Sequence, residues 1–423
     1  MNIFMIGNGL DLHFDLPTSY ICFLNVMERI CSLDGAGERI SSVFQVLNDP
    51  VLQNVETIKR CCNRYGKSYD TKLDPAQMQI IAQKAAGNLW LRFLMTSFRS
   101  NGGWVDFEHE VGRVLDAFRV LFDSITVSKD TAYVLFSRHH DIEYSWRICS
   151  MFPFFYQSSL TRNTSDGIDF FDGCILKQFI CENPPESAEY DLDKEAIANE
   201  LFLSLRELAD LLASYLYLFV DMPVCRIVQS NPKFYDAFFA TTDWSFSRVI
   251  SFNYTHTLSY LEKYVGHDLG RRVAYLHGEL MKDKIVLGVN SDDKDELDKL
   301  ELTFVSFKKY FQRTCYRTDL GYMRLLNLLK SGEHEKDKYT LFVIGHSLDV
   351  TDGEVIRECF RNAGRIFVFS HNQKDMEKHI RNLVSLFGKE EFDHLRLSKG
   401  LTFAPIDDLR LEANAFISKY ALG

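Results

Sequence analysis

The stretch Ile3–Tyr20 constrains the fold more than any other part of this 423-residue chain. Four apolar residues, Ile3–Ile6, run directly into Gly7-Asn8-Gly9-Leu10-Asp11. A strand that turns through glycines into a helix presents backbone N–H groups, and glycine lets that backbone approach an anion closely. Leu12 stands where the complete dinucleotide-binding fingerprint has its third glycine, so a plain strand-to-helix turn stays the alternative. We predict a phosphate-binding turn formed by Gly7, Asn8, Gly9 and Asp11.

Four later segments have the same form, a short apolar run that ends at a polar residue or a glycine. They are Ser247–Phe252 before Asn253, Val273–Leu276 before His277, Tyr339–Ile344 before Gly345, and Arg365–Phe369 before Ser370. Such runs are typical of parallel strands that are buried on both faces. Ligands bind at the carboxyl ends of these strands in open α/β sheets. The pattern therefore predicts an α/β fold with a Rossmann-like parallel sheet whose one edge gathers the four end residues.

Between about Tyr20 and Asp243 the apolar spacing changes from strand-like to helical. The segments Ala76–Phe98, Phe107–Phe122 and Lys194–Phe219 repeat apolar residues at helical intervals. No segment in this region predicts a parallel strand. We therefore expect a large, mainly helical insertion. The predicted domains are 1–24 with 241–380 for the α/β domain, 25–240 for the insertion, and 381–423 for a C-terminal helical extension.

Asn253 and His277 are the candidate catalytic residues. The Asn253 amide both donates and accepts hydrogen bonds, so it suits a water molecule or a ribose hydroxyl, but an asparagine there equally caps a helix over Thr255–Tyr264. An imidazole suits proton transfer near neutral pH, and Gly278 leaves room for a substrate beside His277. A purely structural histidine is the alternative interpretation of that position.

Small polar residues after the later strands are candidates for contact with phosphate or ribose. The candidates are Gly345, Ser347, Asp352 and Ser370. Thr351 and Glu354 also have the spacing of a capping box, which in the simpler interpretation makes Asp352 a carboxylate of the first helical turn.

Asp106 and Glu108 form a further carboxylate pair, in the sequence WVDFE. Two carboxylates at this spacing suit a metal ion or a reaction centre, but they are more typical of a helix start, where the helix dipole favours negative charge. The formal net charge is −10, and the sequence offers no basic cluster to hold a nucleic acid. A nuclease is therefore the least favoured function, and no metal site is predicted.

Cysteine usage and the apolar segments favour a soluble, cytoplasmic protein with no membrane association. The ten cysteines include no CxxC pair, so neither a zinc ribbon nor a thioredoxin-type site is predicted. The opening MNIFMIGNG lacks the basic region of a signal peptide, and the apolar segment that begins at Leu211 is shorter than a bilayer span.

Several motifs together resemble those of the bacteriophage abortive infection AbiH family. They are GNGLDLHFDLPTSY, GGWVDFEHEV, VISFNYTHTLSYLE, YLHGEL, LGVN and FVIGHSLDVTD. The resemblance spans essentially the whole chain and is weakest over Asn25–Phe98 and Thr131–Tyr190. It implies a bacterial defence protein that limits phage spread by harming the infected host.

The four strand-end motifs are also similar, in order, to those of sirtuin-like NAD-binding domains. That similarity implies that Gly7 and Gly9 hold the pyrophosphate of NAD and that Gly345 and Ser347 line its pocket. It also implies that Asn253 fixes the ribose and the attacking water, and that His277 is the base acting on the ribose. Sirtuin-like proteins often carry an aspartate soon after the asparagine, whereas Tyr254-Thr255 follow here, and the cysteine-ligated zinc module of protein deacylases is missing. NAD hydrolysis is therefore the better expectation than acetyl-lysine chemistry, with another nucleotide as the alternative ligand.

Three functions follow as hypotheses. The first is a phage-defence enzyme that hydrolyses the N-glycosidic bond of NAD through an oxocarbenium-like transition state. The second is a non-catalytic nucleotide-binding sensor that contacts a phage or host trigger protein, with a homo-oligomer as a further option. The third is a metal-dependent nuclease toxin that uses Asp106 and Glu108. The sequence leaves open whether the protein is an enzyme.

Overall fold

The N-terminal strand joins the later apolar runs in one sheet. The computed structural model describes residues 2–100, 106–128, 134–136, 140–157, 173–181, 189–230, 247–258, 272–282, 284–290, 302–330, 338–410, 416 and 419–420. Its strands, in chain order, are β1 (Asn2–Ile6), β2 (Ile125–Ser128), β3 (Val134–Phe136), β4 (Phe155–Gln157), β5 (Gly173–Ile175), β6 (Ile180–Cys181), β7 (Glu189–Leu192), β8 (Ser247–Ser251), β9 (Val273–Tyr275), β10 (Thr340–Ile344), β11 (Arg365–Ser370) and β12 (Thr402–Pro405).

Six of these strands form a parallel sheet in the order β12-β11-β10-β1-β8-β9. The predicted mixed α/β architecture with a parallel sheet is thereby confirmed. β12 was not predicted, and it lies in the stretch that was expected to be helical. It is only four residues long, ends in Pro405 and pairs only with β11. A proline is tolerated at such an edge, and its presence hides the strand from a pattern search.

The two faces of the sheet carry different apolar side chains. Ile3 and Met5 belong to a buried cluster that also takes in residues of the helices Leu320–Lys330, Gly353–Asn362 and Gln373–Ser398. Alternate residues point to the opposite face, where Phe342 stacks on Phe4 at 5.0 Å and on Phe367 at 5.4 Å between ring centroids. Burying one such side chain contributes roughly 1.5–3 kcal/mol, so these rows anchor the strands whose ends carry the candidate residues.

The rest of the described chain is mainly helical. The α-helices are Gly9–His13, Tyr20–Gly35, Val43–Leu47, Glu56–Tyr65, Pro75–Gly87, Leu89–Ser100, Phe107–Ser124, His140–Cys149, Lys194–Leu216, Met222–Ser230, Lys309–Tyr316, Leu320–Lys330, Gly353–Asn362 and Gln373–Ser398. A π-helical turn, Tyr217–Asp221, continues directly into Met222–Ser230. Two small antiparallel sheets, β3-β2-β7-β6 and β4-β5, occur between residues 125 and 192.

The chain divides into two compact units. The first comprises Met1–Ala82, Asp210–Val286 and Arg313–Gly423 and contains the six-stranded sheet. The second comprises Gln83–Ala209 and Leu287–Gln312 and contains the antiparallel strands. The boundaries predicted at residues 24, 240 and 380 stay a prediction.

One described helical stretch, Lys194–Ser230, is long and apolar enough to be tested as a membrane span. Its mean hydropathy is 1.6, and 67% of its most apolar window is buried inside the protein. Burial to this degree is typical of a core helix.

Candidate functional site

The carboxyl ends of four strands in the sheet are in register. Ile6 pairs with both Ser251 and Ile344, and Ser251 pairs with Tyr275. Two residues beyond this row the four strands carry Asn8, Asn253, His277 and His346. The sheet thus brings both predicted catalytic residues to one edge, together with His346, which was not predicted.

Gly7 and Gly9 pack directly against the turn after β10. The Gly7 N–H donates to the Ile344 carbonyl at 3.0 Å, and the Gly9 N–H donates to the Gly345 carbonyl at 2.7 Å. A Cβ on Gly345 would lie 2.2 Å from the Leu10 nitrogen, and Gly345 has φ of +63°. The glycines therefore allow two turns to touch. The glycine motif predicts unoccupied N–H groups here, but the N–H groups of Gly7 and Gly9 already donate within the protein. Ligand contact by these residues stays a prediction.

Asn253 is buried at the end of β8 with an unsatisfied amide oxygen. Its backbone N–H donates to Ser251 Oγ at 3.2 Å. Within the described residues Asn253 Oδ1 has no hydrogen-bond partner. An unsatisfied buried acceptor costs about 1–3 kcal/mol, so a donor from water or ligand is expected there. Residues 254–258 are not helical, and 259–264, where the alternative helix was placed, lie outside the described residues.

His277 lies in a buried polar cluster with Asp352 and Arg313. His277 Nε2 is 3.1 Å from Asp352 Oδ1 and 3.0 Å from Arg313 Nη2. Arg313 Nη2 also donates to Asp352 Oδ1 at 3.2 Å. The imidazole Nε2 donates to the carboxylate in one tautomer and accepts from the guanidinium in the other. Two predicted residues from distant motifs, His277 and Asp352, therefore meet around an arginine that sequence reasoning missed.

Asp352 and His346 extend this cluster. Asp352 stands immediately before the helix Gly353–Asn362, but its side chain makes no capping hydrogen bond. The cap that the structure shows nearby is made by Asp349, which accepts from the Thr351 N–H. The Leu348 N–H donates to His346 Nδ1 at 2.9 Å, so the ring proton is on Nε2, which lies 3.7 Å from Asp352 Oδ2. The simpler interpretation, in which Asp352 is only a carboxylate of the first helical turn, does not explain these contacts.

Asp11 is fully buried beside two threonine hydroxyls. Thr255 Oγ1 donates to Asp11 Oδ2 at 2.7 Å, and Thr257 Oγ1 donates to Thr255 Oγ1 at 3.2 Å. Asp11 Oδ1 has no partner within the described residues. Burial raises the pKa of Asp11 to about 7 despite these hydroxyls. The carboxyl is therefore partly protonated at neutral pH.

A second polar cluster, Asp221–His256–Glu279, ties together the loops that carry Asn253 and His277. His256 Nδ1 is 2.6 Å from Asp221 Oδ2, and His256 Nε2 is 3.0 Å from Glu279 Oε1. Burial alone would lower the pKa of His256, but the two carboxylates outweigh it and raise the pKa to about 9. Sequence reasoning missed this cluster. The available signal was Asp221 itself, a lone carboxylate in the apolar run LYLFVDMPV, where the structure has a π-helical turn of the kind that is frequent at functional sites.

The other predicted edge residues do not join the Asp352 cluster by any contact that the described residues show. Asn8 is exposed, and its Nδ2 donates to the Thr18 carbonyl at 3.4 Å. Ser347 is exposed, and its carbonyl accepts from Asn382. Ser370 Oγ lies 3.0 Å from His379 Nδ1, and burial lowers the pKa of His379 to about 4. Their predicted ligand contacts stay predictions.

The carboxylate pair proposed for a nuclease is engaged in structural contacts. Asp106 Oδ1 accepts from the Glu108 and His109 N–H groups at 3.0 and 3.1 Å and so caps the helix Phe107–Ser124. Glu108 Oε1 is 2.7 Å from the buried Lys309 ammonium. In the part of the chain that the structure describes, no group of three or more potential metal ligands occurs. The helix-start interpretation accounts for both carboxylates.

The family model described as Bacteriophage abortive infection AbiH matches residues 3–370. No curated protein and no solved structure matches the chain.

Proposed function

This chain belongs to the bacteriophage abortive infection AbiH family, and we propose that it acts in phage defence by hydrolysing NAD at the edge of its parallel sheet. The family supports the defence role. The chemistry is our inference from the site, as are the nucleotide ligand and a phage or host protein as trigger.

The order of the strands supports a nucleotide ligand. The six strands of the sheet can be numbered 1 to 6 in chain order, from β1 to β12. Across the sheet, from β9 at one edge to β12 at the other, their order is then 3-2-1-4-5-6. Doubly wound folds with this order bind dinucleotides where the order reverses, here between β1 and β10. The Gly7–Gly9 and Gly345 turns follow those two strands. A Rossmann-like, sirtuin-like site at this edge is therefore part of the proposal.

The unsatisfied Asn253 Oδ1 is the observation that carries the catalytic proposal. It is a buried acceptor in register with His277 at the same sheet edge. A water molecule that donates to Asn253 Oδ1 keeps its lone pair available for attack on the anomeric carbon of the ribose. His277, oriented through its Nε2 by Asp352 and Arg313, acts as the base on a ribose hydroxyl. Hydrolysis of this bond needs no acid for the leaving group, because nicotinamide departs as a neutral molecule.

The test is release of nicotinamide from NAD by the purified protein. Asn253→Ala is expected to abolish release, whereas the control Asn54→Ala, at an exposed position, is expected to retain it. Undiminished turnover in Asn253→Ala would remove the role proposed for this amide. If the wild-type protein releases no nicotinamide even with phage lysate present, the enzyme proposal for NAD is wrong.

A second candidate function is a nucleotide-binding sensor without catalysis. The observation that favours it is the guanidinium of Arg313, whose Nη2 lies 3.0 Å from His277 Nε2, so that this ring nitrogen is already engaged by the protein. A sensor is expected to bind NAD or another nucleotide tightly and to release it chemically intact. Recovery of intact ligand after prolonged incubation distinguishes this function from hydrolysis.

A further inference from the structure

Asp11 is a buried carboxyl group that the fold only half satisfies. Its side chain is 0% exposed, and only Oδ2 accepts a protein hydrogen bond within the described residues. Asp11 follows the Gly7–Gly9 turn, and the hydroxyl that it accepts belongs to Thr255, two residues beyond Asn253. Asp11 Oδ1 and Asn253 Oδ1, two buried oxygens without a hydrogen-bond partner among the described residues, therefore follow the adjacent strands β1 and β8.

The two threonines fix the direction of the hydrogen bonds at Asp11. Thr257 donates to Thr255, and Thr255 donates to Asp11 Oδ2. A hydroxyl group has one proton, so the proton of Thr255 is committed to Oδ2. Any proton that Asp11 itself binds is therefore best placed on Oδ1, the oxygen without a partner.

The charged group that acts on Asp11 is a carboxylate rather than a cation. Asp221, from the π-helical turn, faces Asp11 and further favours its neutral form, while His256 is bound to Asp221 rather than to Asp11. From the loop after β8, only the hydroxyls of Thr255 and Thr257 favour the ionised form. A buried carboxyl that has an unused oxygen and no counter-ion among the described residues is the arrangement of a group that exchanges protons.

We propose that Asp11 is a further catalytic residue of the sheet-edge site, which accepts through Oδ1 the proton of the water that attacks the ribose. The inference rests on the hydrolysis proposed above. Asp11 first loses its proton to solvent. An O–H bond of the water then breaks and its proton passes to Oδ1, while the water oxygen bonds to the anomeric carbon. The C–N bond to nicotinamide breaks in the same stage, and its electron pair leaves with the nicotinamide. Asp11 ends the turnover protonated, as it began, so that the reaction consumes one water and releases one proton, the one that Asp11 first lost to solvent.

The test compares Asp11→Asn with the wild-type protein and with Asp15→Asn, a control in the same segment whose carboxylate pairs with Arg60 and Arg64. The kcat for nicotinamide release is measured from pH 5 to 9, and the affinity for ADP-ribose is measured by calorimetry. General acid–base groups contribute about 100-fold or more to a rate. Asp11→Asn is therefore expected to lower kcat at least about 100-fold at pH 7.5, to remove the rise of kcat through neutral pH, and to keep binding ADP-ribose.

Retention of the wild-type kcat and pH profile in Asp11→Asn would overturn the proposal, as would loss of ADP-ribose binding in that variant, which would indicate a binding role. Absence of nicotinamide release by the wild-type protein would instead overturn the proposed hydrolysis.

The protonation of Asp11 is tested separately, without an activity assay, by urea denaturation from pH 5 to 7. The folding equilibrium constant of the wild-type protein is expected to fall about tenfold per pH unit relative to that of Asp11→Asn. A constant ratio would show that Asp11 is not held neutral.

Discussion

The backbone of Gly345 lies against Gly9 with no room for a side chain on either residue. A Cβ on Gly345 would lie 2.2 Å from the Leu10 nitrogen, and one on Gly9 would lie 2.7 Å from the Gly345 Cα. These neighbours are backbone atoms, so no side-chain rotation relieves the overlap. Gly9 and Gly345 together thus set the spacing of the two turns that border the candidate site.

Gly345→Ala is expected to destabilise the protein by roughly 3 kcal/mol or more, because the left-handed φ and the overlap add. Gly35→Ala is the control, since that helical position has no atom within 4 Å of the added Cβ and is expected to gain up to about 1 kcal/mol. Urea denaturation measures both. Equal stability of the two variants would contradict the close contact between the turns.

His256 makes stability depend on pH above neutrality. Its pKa is raised to about 9 by Asp221 and Glu279 against the effect of burial. A histidine with a raised pKa stabilises the fold fully below its unfolded value, near 6.5, and this contribution is lost as pH rises through 9. We expect the free energy of unfolding to fall by about 3 kcal/mol between pH 6.5 and 9.

His256→Gln is expected to remove most of that decrease, whereas His109→Gln, at an exposed position, is expected to keep it. Urea denaturation at several pH values measures the decrease, and NMR titration of the ring gives the pKa directly. A ring that titrates near 6.5 would show that the two carboxylates do not hold it charged.

The site could be predicted from the sequence only where a residue follows a strand. Asn253, His277 and Asp352 were found because each follows a short apolar run or lies in a glycine-containing motif. Arg313 was missed because it lies in the helix Lys309–Tyr316, far from any strand end in the sequence. Its contact with Asp352 depends on tertiary packing, which a local pattern does not contain.

Among the secondary structure elements, five strands of the parallel sheet were predicted to within one residue at each end, whereas β12 and the antiparallel strands β2–β7 were not predicted. Five strands of the parallel sheet appear as apolar runs because both of their faces are buried. β12 did not, because only part of it is covered. The predicted helix Ala76–Phe98 is two helices, Pro75–Gly87 and Leu89–Ser100, which are divided at Asn88. The apolar residues keep their helical spacing across Asn88, so the sequence pattern does not show the break that the hydrogen bonds of the Asn88 side chain cause.

Asn88 separates the two helices by capping the second one, and its replacement tests this role. Its Oδ1 accepts from the Leu91 N–H at 2.9 Å, and its Nδ2 donates to the Ser204 carbonyl at 2.8 Å. Asn88→Ala is expected to cost about 3 kcal/mol, because a helix cap is lost and a buried carbonyl is left without its donor. Asn63→Ala, on an exposed helix face, is the control and is expected to be nearly neutral. A melting temperature unchanged in Asn88→Ala would contradict the capping role.

The burial of the cysteines predicts which thiols of the folded protein react with a thiol reagent, in both compact units. The nine cysteines whose side chains are described are free thiols, of which only Cys181 and Cys315 are exposed. Burial raises the pKa of Cys22 to about 11, which further suppresses its reaction. Cys174 is replaced by serine so that only these nine thiols remain. The native protein is then expected to react rapidly with a thiol reagent at Cys181 and Cys315, and the protein unfolded in urea at all nine. Rapid reaction of more than the four thiols that are not buried would show that the packing differs from that described.

The order of the strands has a consequence for synthesis on the ribosome. β1 is made first, but its two neighbours in the sheet are β8 and β10, and β10 ends at Ile344. At about 5–20 residues per second, roughly 20–70 s pass between the synthesis of β1 and that of β10. Before β8 is made the first strand lacks both of its neighbours, and the two glycine turns cannot meet until β10 and Gly345 have been made. A nascent or truncated chain that stops before residue 340 therefore cannot bring Gly9 and Gly345 together.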